Sequence, residues 1–178
     1  MLRFLVISFC VLIFSSCSHA PIKKVVNDPL PFVTGTVLNS AVLTGGGDLT
    51  LSTFKAGPLA EENDELDNFS VMILKGVKDS LEGQKTLLHV VSGNDVHPKM
   101  VLEGYVQEYS KTGRLARMTM HPNRNLLVLT GELWLVSNGE RILNFTTQKK
   151  FDPKKEKPTD VAYALGKDIG DFVATHSR

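Results

Sequence analysis

The fold is decided by NLLVLTGELWLVSNGERILNFTTQKKF, residues 125–151. Asn125 to Val136 and Arg141 to Phe151 are rich in apolar and β-branched residues, which predicts two strands. Ser137-Asn138-Gly139 separates them, and an Asn-Gly pair between two such runs is a strong hairpin signal. We therefore expect a long antiparallel β-hairpin here.

A helix is predicted on each side of this hairpin in the sequence. After it, one helical face is formed by Val161, Leu165, Ile169, Phe172 and Val173, with Thr159 as the expected N-cap behind Pro158. Before it, apolar residues recur at spacings of three, four, four and four, with carboxylates at the amino end and Gly83 just past the last turn. These residues are Leu66, Phe69, Ile73, Val77 and Leu81.

Three further strands complete the predicted sheet. They are Leu49 to Phe54, which stops at Gly57-Pro58, then Thr86 to Ser92, closed by a Gly-Asn-Asp turn, and Met100 to Tyr109. The element order is then β-α-β-β-β-β-α. We expect an α+β fold, a two-layer sandwich of a mostly antiparallel four- to five-stranded sheet with two helices on one face, in a single domain covering residues 48–178.

The amino terminus, MLRFLVISFCVLIFSSC, reads as a secretory signal. It has a positive start at Arg3 and an apolar run too short to span a bilayer, which needs about 20 residues. Phe14-Ser15-Ser16-Cys17 resembles the bacterial lipobox, with Phe14 where leucine is usual. The resemblance implies that residues 1–16 are a removed signal peptide and that Cys17 is acylated. The alternative is an ordinary signal cleaved near Ser18-His19-Ala20.

Composition limits the classes of partner. Arg3 is the only charged residue in the signal, so the mature chain has equal numbers of basic and acidic side chains and no bulk attraction to nucleic acid. Cys10 leaves with the signal, so neither an internal disulfide nor a cysteine metal site can form. Residues 17–47 are predicted to be the lipidated cysteine and a flexible tether. Within them, Phe32 to Leu43 could form a short edge strand, bind a partner or be disordered.

The element order, the lipobox and the phrases LTLSTFKAGP, LVLTGELWLVSNGERILNF and AYALGKDIGDFV carry a resemblance to known families. The chain resembles small envelope lipoproteins with domains akin to the TolB amino-terminal and curli-secretion folds. It is also similar to the lipopolysaccharide-assembly lipoprotein and to auxiliary lipoproteins of lipid exporters. The resemblance implies a binding role and carries no catalytic signature.

No residue pattern indicates catalysis. The five histidines lack zinc-enzyme spacing, and no nucleophile elbow, phosphate loop or calcium loop is present. Asp160, Asp168 and Asp171 are interpreted as the solvated side of the last helix. The sequence therefore predicts a protein that is not an enzyme and has no cofactor or metal.

Charge placement indicates a candidate binding surface. If the first two strands run parallel and each later hairpin reverses direction, two basic segments meet at one end of the sheet and the acidic run Glu61 to Asp67 falls at the other. This basic end is predicted either to bind membrane head groups or lipopolysaccharide phosphates or to be ordinary solvated loops. Its residues are Lys111, Arg114, Arg117, Arg124, Lys149, Lys150, Lys154, Lys155 and Lys157.

A row of small residues is the second candidate. Ala162, Gly166, Gly170 and Ala174 recur every fourth residue along the last helix. Glycine in a helix interior costs about 1 kcal/mol relative to alanine, so the row indicates close backbone approach. The neighbour is either the first helix, at Gly76, or another protein that uses the row as an interface.

These features give two leading hypotheses of function. The first is a non-enzymatic outer-membrane lipoprotein, on the periplasmic face, that serves as an accessory subunit in envelope assembly or transport. Its partners would be the membrane through the lipid anchor, and an envelope protein, lipid or lipopolysaccharide, but no nucleic acid. Ser18 after the cysteine fits export to the outer membrane. The second is a subunit of an oligomeric secretion or scaffold ring, and a hydrolase of envelope polymers comes third.

Overall fold

A computed structural model describes residues 33–60, 64–92, 97–110 and 125–178. Within these ranges the chain forms seven strands and three helices. In chain order they are β1 (Val33–Val37), α1 (Ser40–Thr44), β2 (Gly47–Leu51), β3 (Lys55–Leu59), α2 (Asp64–Gly83), β4 (Leu88–Val90), β5 (Met100–Ser110), β6 (Asn125–Leu135), β7 (Glu140–Phe151) and α3 (Pro158–His176).

The strands form one mixed sheet in the order β1-β7-β6-β5-β2-β4, and β3 extends the line of β2 along the same edge of β5. β2, β3 and β5 run parallel, as do β2 and β4. β5, β6, β7 and β1 follow one another antiparallel. The predicted hairpin of residues 125–151 is the centre of this sheet.

The predicted α+β class and the two-layer arrangement are confirmed. The sheet has seven strands instead of four to five, because residues 33–37 and 55–59 also pair. Gly57 and Pro58 lie inside β3 and do not end a strand. β3 lies at the edge of β5, and an edge strand tolerates proline because it does not need every backbone N–H.

The prediction that each later strand reverses direction is wrong for β5. β4 and β5 lie on the two sides of β2, and both are parallel to it. The Val91 N–H donates to the Leu49 carbonyl at 2.9 Å, and on the other side the Ser52 N–H donates to the Leu102 carbonyl at 2.8 Å. The physical reason is that β5 pairs with β2 and not with β4. The turn signal after β4 indicates that the chain leaves this strand, but it does not indicate which strand β5 joins.

The core lies between one face of the sheet and the two long helices. All five residues of the predicted α2 stripe are buried, as are Val161, Leu165, Ile169 and Val173 of α3. On β6, buried residues alternate with half-buried ones, which places Leu127, Leu129 and Leu133 on the helix side. Burying each such side chain contributes about 1.5–3 kcal/mol.

Residues 33–47 fold with the domain, although the sequence placed them in the tether before a domain starting at residue 48. β1 pairs with β7 from Val33 opposite Thr147 to Val37 opposite Leu143. Asn39 caps α1 by accepting from the Val42 N–H at 3.2 Å, and Leu43 is fully buried. Residues 33–37 are thus an edge strand, one of the alternatives for this segment, and any tether ends before residue 33.

The turn between β6 and β7 is formed as predicted. Gly139 adopts a positive φ of 67° there, where glycine is favoured.

The start of α3 differs from the prediction, which gave Thr159 as the N-cap. α3 begins at Pro158 and its N-cap is Lys157, which makes no side-chain capping hydrogen bond. Proline at the first helical position explains the shift, because its missing N–H needs no partner there.

Candidate functional site

The candidate site is the end of the sheet where β7 finishes and the chain turns into α3. Lys154, Lys155 and Lys157 follow Phe151 and are exposed. Lys150 is exposed one residue before it, opposite Leu126 in the register of β6. Leu126 alternates with the buried Leu127 and Leu129, so Lys150 is on the sheet face away from the helices. We call these four residues the lysine end.

Asp152 holds the turn that carries the lysine end. Its side-chain Oδ1 accepts from the Lys154 N–H at 3.0 Å. Its carbonyl accepts from the N–H groups of Lys155, at 2.9 Å, and of Glu156, at 3.0 Å. These bonds fix the backbone between β7 and α3, so Lys154 and Lys155 extend from an ordered turn.

Lys149 differs from the other predicted cations. Its Nζ lies 2.8 Å from Glu156 Oε1, and its side chain is 30% exposed. Burial raises the pKa of the nearby Asp168 carboxyl, as does the neighbouring Asp171, while the positive charges of Lys149 and Lys167 oppose this rise. Lys149 therefore interacts with charged groups of its own domain. It contributes less positive charge than the lysine end to an outward-facing surface.

The other predicted basic residues, Lys111, Arg114, Arg117 and Arg124, lie outside the described residues. The residues on either side of them are described. Ser110 pairs with Leu126, and Asn125 pairs with Phe151. Ser110 and Asn125, the described residues on either side of 111–124, therefore lie at the end of the sheet that carries the lysine end.

The described part of the acidic run is at this same end, so the prediction that it falls at the opposite end is wrong. Glu61 and Glu62 lie outside the described residues, but the Tyr109 hydroxyl near the end of β5 donates to Glu65 Oε1 at 3.1 Å. The reason is β3, which carries the chain onward beside β5, so that α2 begins where β5 ends. The basic and acidic groups thus lie at one end, at different positions.

Tyr109 connects these elements below the surface. Its hydroxyl also accepts from Asn125 Nδ2 at 3.4 Å, and its ring packs edge-on against Phe69 at 4.8 Å between centroids. Burial, followed by the charge and hydrogen bond of Glu65, raises the pKa of Tyr109 to about 12. No local sequence pattern indicates this contact, because it joins residues 44 positions apart.

The chain enters the domain at the lysine end. β1 starts at Val33, opposite Thr147 and four residues before the end of β7. The first strand predicted from the sequence, now labelled β2, starts at the other end of the sheet. The alternation of VTGTV was the available signal for β1. Cys17 lies outside the described residues.

The small-residue row packs against α2. Ala162, Gly166, Gly170 and Ala174 are all buried. A Cβ on Gly166 would collide with the Ile73 carbonyl, and one on Gly170 would lie 2.8 Å from the Val77 carbonyl. Gly76 meets α3 in the same way, 2.8 Å from the Lys167 amide. A partner could not reach this row while α2 stays packed, so the structure has the intramolecular arrangement.

The sheet face away from the helices carries an open cleft of about 290 Å³. Its lining includes Tyr105, Glu132 and Asn144. Glu132 forms an ion pair with Arg141 at 3.1 Å, and the Arg141 guanidinium lies over the Trp134 ring at 5.2 Å. Trp134 therefore packs within the sheet surface.

Among residues 33–60, 64–92, 97–110 and 125–178, no three His, Cys, Asp or Glu side chains are grouped so as to hold a metal ion. None of the helices in this part of the chain is both long enough and apolar enough to cross a bilayer.

The molecule is a small two-layer α+β domain whose layout also occurs in solved structures. Neither a protein-family model nor a curated protein matches the sequence. The fold is similar to that of PelC from Paraburkholderia phytofirmans, solved as a dodecamer, with a TM-score of 0.55 and 16% identity. The match covers 80% of this chain and 97% of that chain. A second PelC dodecamer matches with a TM-score of 0.54 and 17% identity, over 80% and 95% of the two chains.

Lipoprotein GNA1162 from Neisseria meningitidis matches less well, with a TM-score of 0.44 and 10% identity, over 72% of this chain and 98% of that chain. Identities this low establish similarity of fold alone. The resemblance to the TolB, curli-secretion and lipopolysaccharide-assembly folds stays a prediction.

Proposed function

We propose that this protein is a non-enzymatic lipoprotein of the bacterial outer membrane, anchored through Cys17, that serves as an accessory subunit in envelope assembly or transport. The observation that carries the proposal is the likeness to PelC, which extends over 95–97% of the PelC chain and so includes its whole layered domain. The lipobox-like Phe14 to Cys17 adds the anchor.

The position of β1 supports this role. The anchored terminus leads into an edge strand at one end of the sheet, so the helices and the opposite end of the domain stay free to contact other proteins. The mature chain contains no cysteine besides Cys17. Acylation removes the only thiol that could react in an oxidising compartment.

A second candidate function is that of a subunit in an oligomeric ring. One observation favours it, the dodecameric state of both PelC structures. Closed rings use heterologous contacts, in which one surface of a subunit meets a different surface of the next. A domain with an edge strand at each side of its sheet, here β1 and β4, offers two different surfaces of this kind.

The anchor is tested by cell fractionation and intact mass measurement. The native protein should partition with membranes and begin at an acylated Cys17, whereas Cys17→Ser should move to the soluble periplasmic fraction. Cys10→Ser changes the other cysteine, within the signal, and should leave partitioning unchanged. An unmodified amino terminus, or membrane retention of Cys17→Ser, would contradict the lipoprotein assignment.

Light scattering after size exclusion separates the two candidate functions. The mature chain with Cys17→Ser should have a mass several times that of one chain if it forms a ring. A mass equal to one chain at every concentration would exclude the ring and leave the accessory subunit. Crosslinking in native membranes, followed by identification of the joined proteins, would then name its partner.

A further inference from the structure

We propose that the lysine end, formed by Lys150, Lys154, Lys155 and Lys157, is a docking surface for the phosphate head groups of anionic phospholipids. The inference rests on the proposed lipid anchor for its biological setting, but the surface itself belongs to the folded domain. It gives the domain a fixed orientation on the bilayer, with the lysine end facing the lipid.

The positive charge of the lysine end is not paired within the described part of the domain. Within the described part of the chain, none of these four lysines forms an ion pair. Of the two acids closest in sequence, Glu156 pairs with Lys149, and Asp152 accepts from the Lys154 N–H but forms no ion pair with these lysines. Four exposed cations therefore remain in a short stretch of a domain whose mature chain is neutral overall. A surface of phosphate groups complements that arrangement.

The path of the chain brings the anchored segment to the lysine end. Val33 starts β1 beside Thr147, so the lysine end is the end of the domain at which the anchored segment arrives. Residues 18 to 32 separate Cys17 from Val33, and a chain of that length can span at most about 50 Å. The anchor thus keeps the lysine end within reach of the lipid surface.

The two ends of the sheet differ in their exposed cations. At the opposite end, Lys99 is exposed, but its Nζ already donates to the Gly46 carbonyl at 2.7 Å. Leu38, Leu87 and Val136 are exposed there instead. Among the described residues, the lysine end therefore offers a cluster of exposed, unpaired lysines that the opposite end lacks, and the acidic start of α2 lies at a separate position on the same end.

Vesicle binding tests the proposal without the anchor. The probe is phosphatidylcholine vesicles containing one third phosphatidylglycerol, and the protein is the mature chain with Cys17→Ser. The fourfold variant Lys150→Gln, Lys154→Gln, Lys155→Gln and Lys157→Gln should bind about a thousandfold more weakly at low salt. Binding of the parent should be lost on pure phosphatidylcholine, and it should weaken as salt screens the charges.

A matched variant controls for net charge. Lys75→Gln, Lys78→Gln, Lys85→Gln and Lys167→Gln remove the same number of exposed lysines from the helical side of the domain. This variant should bind within about threefold of the parent, because its cations are remote from the proposed contact. Equal weakening by both variants would overturn the proposal, as would absence of binding by the parent.

Orientation gives an independent readout. The mature chain with Cys17→Ser has no thiol, so a single environment-sensitive dye can be attached at Pro153→Cys or at Ser137→Cys. Both positions are exposed, the first in the turn of the lysine end and the second in the β6–β7 turn at the other end. Vesicles should shift the emission of the first dye alone. A shift of the second dye alone, or binding only to lipopolysaccharide-containing vesicles, would contradict the proposal.

Discussion

Tyr109 is the residue at which α2, β5 and β6 are joined by side-chain hydrogen bonds. Its hydroxyl donates to Glu65 and accepts from Asn125, which is itself only 6% exposed. A buried polar group of this kind contributes stability only while its partners stay in place. The contact therefore couples the start of α2 to the end of the sheet beside the lysine end.

We expect Tyr109→Phe to lower the free energy of unfolding by about 1 kcal/mol, because it removes the hydroxyl while keeping the ring against Phe69. The matched control is Tyr105→Phe on the same strand. Tyr105 is 44% exposed, so its change should stay within about 0.5 kcal/mol. Urea unfolding at neutral pH measures both values, and equal effects of the two substitutions would show that the hydroxyl bonds of Tyr109 contribute nothing.

The raised pKa of Tyr109 gives this prediction a pH dependence. The folded protein holds the phenolic proton up to about pH 12, above the ordinary value of 10.0. Between these values the folded state binds more protons than the unfolded state, so stability falls as pH rises. The extra stability of the native protein over Tyr109→Phe should therefore be complete below pH 10 and shrink above it, as measured by unfolding across that range.

At the scale of elements, the contact between α2 and α3 depends on backbone approach. Gly76 and Gly166 each face the backbone of the other helix, and Gly170 lies against Ser80. The Ser80 hydroxyl donates to Asp171 and thereby joins the helices beside the glycines. Sequence spacing predicted this row because residues four apart share a helix face. It could not choose the neighbour, because the same row would suit another chain.

We expect Gly166→Ala to destabilise the domain by about 2 kcal/mol, because the added Cβ collides with the Ile73 carbonyl and the helices must separate. This loss exceeds the gain of about 1 kcal/mol that alanine brings to a helix interior. Gly83→Ala is the control, since nothing lies within 4 Å of its Cβ position. Chemical denaturation at one protein concentration should give the two variants opposite signs; a stabilised Gly166→Ala would refute the close approach.

At the scale of the whole molecule, local patterns predicted the elements better than their connections. The stripes of α2 and α3 and the Asn-Gly turn are encoded within short windows, and each is present. The parallel placement of β4, β2 and β5 depends on backbone bonds between distant segments, such as Val91 to Leu49. Reversing β5 in the predicted topology also moved the acidic start of α2 to the wrong end. The turn that carries the lysine end was predicted despite this error, because β7 and α3 are consecutive in the chain.

The start of the domain, which the sequence placed at residue 48, also depends on pairing between segments that are distant in the chain. Prolines and glycines around residues 21–47 resemble a linker in composition, yet Val33 and Leu43 are buried. The ring of Phe172 also covers Gly35 of β1 from the α3 side. β1 and α1 are therefore part of the cooperative unit, and the sheet ends at β1 on this side.

Shortening the chain tests that boundary. We expect residues 48–178 to unfold with at least about 4 kcal/mol less stability than residues 31–178, because Val33, Val37 and Leu43 are removed and Phe172 and the edge of β7 are uncovered. Such an exposed edge strand also favours association, so the shorter chain should aggregate at concentrations where the longer one stays dispersed. Urea midpoints and light scattering measure the two effects. Identical midpoints would mean that the stable domain starts at residue 48. In that case β1 and α1 would contact the core without contributing to its stability.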